Sequence, residues 1–449
     1  MASDDDSNDF WHETTALPFI KMLQSSGYSN EDIETHSKWY NRFIIPALGP
    51  RPQAGKKPLF DARITADGSP IELSVNFKET SNVRTVRFTI EATGPEAGTP
   101  TDPYNQEETT RLLQAMANSI PSIHLGQYKT FSHNLFLPAT TAPSLLPKVL
   151  HGTPLSLTQA WVAFDLAHGG GIMAKVYFMP FLKWLHTASS SSPAMATKDL
   201  VFDIARQCNG PFGSYDHPIS LLDSYLSSFP SGSFQPTVEM VAIDCIDSPS
   251  ARIKCYLRTN VTTLQQAKEA MTLGGRIKTE DTEATLQLLG ELWELLLRSK
   301  IGSGEDIETK SVLVEGAYCH LAVEMKPGFP GSVETKLHIP VNKVDGGLRD
   351  EVICAGLGEW FAKRGHGEFG GSYRKELKET FVNLEGTHTF VSFTYTKKTG
   401  VYMSMYYSPQ THAGLELNEV SSGANGGPIH RDVWEGYDAL VRGVLHGKE

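Results

Sequence analysis

Nowhere does this chain approach the roughly 18 consecutive apolar residues that a membrane-spanning helix needs. Cysteine is scarce: Cys208, Cys245, Cys255, Cys319 and Cys354 are five in 449 residues, with no C-x-x-C pair. An odd, scattered set excludes a disulfide scaffold and fits a reduced, cytoplasmic setting. Positive charge is in deficit, since 40 Lys and Arg face 51 Asp and Glu, for a net charge of −11. Nucleic acids and anionic membranes require a basic face, so neither is an expected partner. The fifteen histidines form no H-x-x-x-H or related zinc spacing. Met1 to Asp9 is acidic and polar without an apolar segment, so no secretory signal is expected.

Two literal motif matches lack their context. Asp5-Asp6-Ser7-Asn8-Asp9 spells D-D-x-x-D, a metal–diphosphate pattern, but lies in an acidic tail expected to be disordered over residues 1–10. Gly365-x-Gly367-x-x-Gly370 spells the dinucleotide fingerprint, yet it follows a predicted helix rather than a strand.

What remains is an ordinary globular composition, 40% hydrophobic and 20% charged, which can build a large core. Strands are predicted near 69–77, 82–91, 159–166, 171–177, 237–245, 250–258, 318–325, 335–341, 387–395 and 400–407. Helices are predicted near 11–48, 107–120, 198–208, 218–229, 263–271, 282–298 and 349–364. Strand pairs joined by short turns are antiparallel. They can close into a barrel wrapped by helices or lie in an open sheet, and periodicity alone does not choose between these.

Polar residues alternate within several strands. Lys175 and Tyr177 are two apart, as are Arg252, Lys254 and Tyr256 in succession, and Lys336 and His338; Tyr402 and Tyr406 are four apart. Period two puts each set on one strand face, with apolar Val176, Ile253, Cys255 and Leu337 on the other. Singly, each set reads as a solvated outer face. Shared by four strands, the pattern suits a lumen that holds a polyanion beside a carbocation. Glu72 sits inside the apolar strand Ile71-Glu72-Leu73-Ser74-Val75 and is a candidate buried general base; Arg87 lies on the next strand.

Together these residues resemble the fungal dimethylallyltryptophan-synthase family of aromatic prenyltransferases, from about Trp11 to Pro409. The landmarks are Ala47-Leu48-Gly49-Pro50, Glu72-Leu73-Ser74, Val86-Arg87-Phe88, Asp102-Pro103-Tyr104-Asn105, Phe164-Asp165-Leu166, Lys175-Val176-Tyr177-Phe178-Met179-Pro180, Arg252-Ile253-Lys254-Cys255-Tyr256, Thr272-Leu273-Gly274-Gly275-Arg276 and Tyr402-Met403-Ser404-Met405-Tyr406. The resemblance implies an α+β fold: a ten-stranded antiparallel β-barrel of repeated α-β-β-α units, surrounded by helices, as one domain over 11–449. It implies that Arg87, Lys175, Arg252 and Lys254 bind pyrophosphate, and that Tyr177, Tyr256 and Tyr406 shield the cation, with Tyr402 on the same face. It implies that Glu72 accepts an indole N–H. No metal or other cofactor is implied; the prenyl pyrophosphate is a co-substrate.

The departures concern both substrates. Trp161 stands where tryptophan-using relatives place a lysine, Met179 where they place a tyrosine, and Glu239 where they place an arginine that holds the amino-acid carboxylate. Lys336 and His338 replace a Gln-x-Tyr pair in the donor pocket, and Phe390 stands where a tyrosine is common. The expected reaction is transfer of a prenyl group, dimethylallyl in the first instance, to a neutral indole scaffold. The expected partners are the prenyl pyrophosphate and a small aromatic acceptor, with a homodimer left open. The alternatives are a phenolic or polyketide acceptor, free L-tryptophan, or a non-catalytic barrel that binds a hydrophobic ligand.

Overall fold

Alternation along the strands gives the sheet two unlike faces. In Gly400–Tyr407, Val401, Met403, Met405 and Tyr407 join the hydrophobic core, while Tyr402, Ser404 and Tyr406 point the opposite way. A sheet whose two faces differ this consistently can bury one face under helices and curl the other around a lumen. The computed structural model describes residues 4–56, 58–150, 157–188, 196–230, 233–302, 304–328 and 332–412. Its strands are β1 (Ile71–Lys78), β2 (Thr85–Ile90), β3 (Ala160–Leu166), β4 (Ile172–Phe178), β5 (Thr237–Asp244), β6 (Ile253–Arg258), β7 (His320–Lys326), β8 (Ser332–Ile339), β9 (His388–Thr396) and β10 (Gly400–Tyr407). Each pairs antiparallel with its sequence neighbours. β1 also pairs β10, with Ser74 opposite Tyr406, and closes the barrel. Closure leaves no unpaired edge.

Helices wrap the outside. Phe88 of β2 packs against Phe19, Trp39, Tyr40 and Phe164, with ring centroids 5.1 to 6.0 Å apart. That cluster holds the backbone next to Arg87 and Asp165, since Phe88 follows Arg87 and Phe164 precedes Asp165. Removing a buried phenylalanine of this kind costs about 3–5 kcal/mol. The Asp102 carboxylate accepts from Gln106 N at 2.8 Å and Glu107 N at 3.0 Å, so it caps the helix Glu107–Ala117. The helix Leu264–Met271 ends where Leu273 adopts φ +48°, with the Leu273 and Gly274 N–H groups donating to the Ala270 and Glu269 carbonyls, each at 2.9 Å. No helix among the described residues is long and apolar enough to cross a membrane.

The expectation of a disordered tail over 1–10 is corrected for Asp4–Trp11, which is helical. Trp11 is buried and its indole donates to the Gly49 carbonyl at 2.7 Å, while Arg51 pairs with Asp6 at 2.8 Å. The apolar anchor at the end of the acidic run outweighs its charge. The expected domain runs past the described residues, since 413–449 lie outside them. The continuous helix expected over 11–48 is interrupted where Gly27 adopts φ +81° and Ser29 caps Asn30–Trp39. Helices Gly126–Leu135, Ala142–Leu150, Phe181–Ala188 and Gly367–Thr380 were not anticipated. The last holds Gly367 and Gly370 of the glycine motif, while Gly365 precedes it. A Cβ on Gly370 would lie 2.4 Å from the Gly358 carbonyl oxygen, so these glycines let two helices cross at backbone contact.

Candidate active site

Adjacent strands run in opposite directions, so the first residues of the odd strands and the last residues of the even strands gather at one end of the lumen. That end carries Glu72, Trp161, Glu239, His320 and Phe390 from odd strands, with Tyr177, Tyr256, His338 and Tyr406 from even ones. Deeper toward the other end lie Arg87, Lys175, Arg252, Lys254, Lys336 and Tyr402. The lumen therefore has a cationic tier beneath an aromatic tier. A cavity is lined by both, including Arg87, Lys175, Lys254 and Lys336 with Tyr177, Tyr256, His338 and Tyr406.

The cationic tier is cross-linked by carboxylates. Asp165 pairs with Arg87 at 3.1 Å and with Lys175. Arg252 pairs with Asp244 at 2.7 Å and Glu324 at 3.1 Å, and Lys254 pairs with Glu324 at 3.0 Å. Five cations face three carboxylates, which leaves a positive excess for a bound anion. Burial opposes ionisation of Asp165 and Glu324, but the flanking cations outweigh it and hold both carboxyls below their ordinary range. Burial, with its cationic neighbours, lowers the Lys175 ammonium to about 8 despite Asp165. Burial likewise lowers Lys336 to about 8 despite Tyr402 and Glu324.

Tyr402 links the two kinds of group. Its hydroxyl accepts from Arg87 Nη2 at 2.6 Å, and Lys336 Nζ lies 4.0 Å from its ring centroid. Burial alone would raise the phenol; Arg87 and Lys336 overcome it and lower Tyr402 to about 7.

The aromatic tier is a row of rings. Centroids are 5.4 Å apart for Tyr177 and Tyr256, 5.7 Å for Tyr256 and His338, and 5.8 Å for His338 and Tyr406. Burial, then neighbouring Lys336, holds His338 well below its ordinary value, so its ring is neutral. A neutral ring does not repel a carbocation, and each tyrosine face can stabilise one by about 0.5–2 kcal/mol.

At the mouth, the Glu72 carboxyl accepts from Thr389 Oγ1 at 2.7 Å. Burial raises it to about 8, against that hydrogen bond. Trp161 Nε1 donates to Glu91 at 3.1 Å, and Glu91 also accepts from Thr158 Oγ1 at 2.6 Å and Arg63 N at 2.9 Å. Glu239 accepts from the Tyr318 hydroxyl at 3.3 Å. Met179 follows the last residue of β4, half-buried, with its backbone N–H on Gln159 O at 3.0 Å. Among the described residues, no three His, Cys, Asp or Glu side chains are grouped to hold a metal ion.

The sequence model of the tryptophan dimethylallyltransferase family matches residues 7–376. The chain belongs to that family. Among similar proteins, prenyltransferase iacE of Pestalotiopsis fici is 32% identical over 420 residues, covering 91% of this chain and 93% of iacE. The 7-dimethylallyltryptophan synthase hasE of Aspergillus fumigatus is 30% identical over 426 residues, covering 91% of this chain and 86% of hasE. The crystal structure of AnaPT from Neosartorya fischeri shares the fold, with TM-score 0.76 at 24% identity over 90% of this chain and 94% of that one. The protein is an aromatic prenyltransferase.

In this prenyltransferase the four basic residues singled out from the sequence share one tier, joined by Lys336 and Tyr402. Tyr177, Tyr256, His338 and Tyr406 share the next, while Glu72, Trp161 and Glu239 stand around the mouth. Sequence reasoning gave no role to Asp165, Asp244 and Glu324, which tie the cations together, nor to Glu91, which fixes Trp161. Each obeys the same period-two pattern as the cations. Following both signs of charge along each strand would have found them.

Proposed function

We propose that the protein transfers a dimethylallyl group from its pyrophosphate to the ring of a neutral indole scaffold, with the positive charge supplied by side chains rather than a metal. The observation that carries this reading is the stacking of a cationic tier directly beneath a ring of tyrosines in one lumen. Arg87, Lys175, Arg252, Lys254 and Lys336 hold the pyrophosphate and stabilise the charge that develops as the allylic C–O bond breaks. The allylic cation then lies among Tyr177, Tyr256, His338 and Tyr406. Confinement beside the acceptor ring makes attack effectively intramolecular. Glu72 accepts the indole N–H and enriches the ring for attack; transfer of the proton from the alkylated carbon to the pyrophosphate released beside it restores aromaticity.

The mouth favours a neutral acceptor. Trp161, held by Glu91, and half-buried Met179 give it an apolar, adaptable wall. Glu239 repels a free carboxylate. A side-by-side kcat/KM comparison of L-tryptophan with a neutral indole such as a cyclic dipeptide, with the same donor, tests the assignment. L-Tryptophan is expected to be poorer by roughly ten- to a hundredfold, the scale of a lost charge-assisted hydrogen bond. If tryptophan equals every neutral scaffold, the assignment of a neutral acceptor fails.

A further inference from the structure

The register of β5 against β6 slips between Val238 and Met240, and Glu239 is the residue in the slip. Such irregularities re-aim a side chain. The Glu239 carboxylate meets Tyr318 and His320 of the β7 segment, on the far side of β6. The Tyr318 hydroxyl donates to its oxygens at 3.3 and 3.4 Å, and His320 Nε2 lies 3.6 Å away. His320 stacks on Phe390 of β9 at 5.6 Å, so the group continues along the lumen wall. Arg258 lies 5.6 Å from the Tyr318 ring. Burial keeps the His320 ring below its ordinary value, so at neutral pH His320 does not cancel the charge it faces.

The Glu239 side chain is 18% exposed. It has two oxygens, each able to accept more than one hydrogen bond, and Tyr318 provides one donor. A partly dehydrated carboxylate is unfavourable until further donors reach it. β5 lies four strands around the ten-stranded ring from β1, at the same end of the lumen as Glu72. An acceptor whose ring N–H meets Glu72 extends its remaining atoms across the mouth toward this wall.

We propose that Glu239, oriented by Tyr318 and His320, forms a subsite for a hydrogen-bond-donating nitrogen on the acceptor's side chain, the amide N–H of a neutral scaffold, for which a protonated amine serves as a probe. The proposal rests on the reading of the protein as an indole prenyltransferase and adds the chemistry of the acceptor's far end. Its test is the ratio of kcat/KM for tryptamine to that for indole-3-propionate, which differ in the sign of the side-chain charge. In the wild type the ratio is expected to exceed roughly tenfold, the scale of one charge-assisted hydrogen bond. Glu239→Gln should bring it toward unity, mainly by raising the KM for tryptamine, and Glu239→Arg should invert it. Tyr318→Phe leaves the carboxylate in place and should lower the ratio only partly. Ratios that stay within about twofold of wild type in both folded Glu239 variants would overturn the proposal, as would a wild-type ratio near one. If a Glu239 variant does not fold, the wild-type and Tyr318→Phe ratios decide alone. If the wild type turns over no indole, the indole reading fails separately, and tyramine against 4-hydroxyphenylpropionate tests the same subsite on phenols.

Discussion

Replacing Glu72 with glutamine changes one atom and keeps an acceptor for the Thr389 hydroxyl, which now lies 2.7 Å from the carboxyl. What disappears is the ability to carry negative charge beside the indole N–H. Burial places the carboxyl at about 8, so at pH 7 it must ionise against roughly one pH unit, or about 1.4 kcal/mol. The sign is fixed by that direction. The charged form is scarce below 8 and dominant above it, so kcat/KM for the acceptor should rise with pH, reach half its plateau near 8 and level off above it. At pH 6 it should be roughly a hundredfold below the plateau. The variant should lose about 10²-fold or more on the plateau and show no rise. The assay is product formation from a neutral indole over pH 5.5 to 9, with the donor kept saturating at every pH so that its weaker binding as Tyr402, Lys175 and Lys336 titrate does not enter. Donor affinity should barely change. A variant that keeps near-full activity, or that shows the wild-type pH rise, would refute the assignment.

Three further outcomes follow, two from the lumen and one from a helix crossing outside it. Tyr402, lowered to about 7, becomes anionic inside the cationic tier as pH rises, so donor affinity should weaken above pH 7; in Tyr402→Phe the weakening should begin only near 8, where Lys175 and Lys336 titrate, as calorimetric titration with a non-ionising donor analogue would show. Turnover should persist in excess chelator, because side chains supply the charge; complete loss, restored by magnesium, would contradict this. Gly370→Ala would place a Cβ 2.4 Å from the Gly358 carbonyl oxygen, so it should lower stability by about 1–3 kcal/mol in denaturant titrations without changing the acceptor preference of the folded fraction.

The strands and their lumen faces were legible because alternation is a local property. Lys175 and Tyr177, or Lys254 and Tyr256, declare their shared face within three residues. Closure is different: Ser74 meets Tyr406 across more than 300 positions, and no local period records that pairing. The family resemblance provided it. The ion pairs were hidden for the same reason. Asp165 bonds both Arg87 and Lys175 only because β3 lies between β2 and β4, and a lone carboxylate in a strand otherwise reads as a solvated face. The helix Gly367–Thr380 was missed because its three glycines weaken the local helical signal, whereas Gly370 serves a close helix crossing. The acidic start was read from its charge, although Trp11 at its end pins it to Gly49.

The central claim is that one lumen both ionises an allylic pyrophosphate and delivers the cation to an indole. Incubation of the purified protein with dimethylallyl pyrophosphate and a neutral indole scaffold, without added metal, tests it most directly, with released pyrophosphate and prenylated product measured together. Equal amounts of both are expected, abolished when Lys175 and Lys254 are replaced together by alanine. Pyrophosphate that stays intact while the donor binds would contradict it, and would leave a barrel that only holds its ligand.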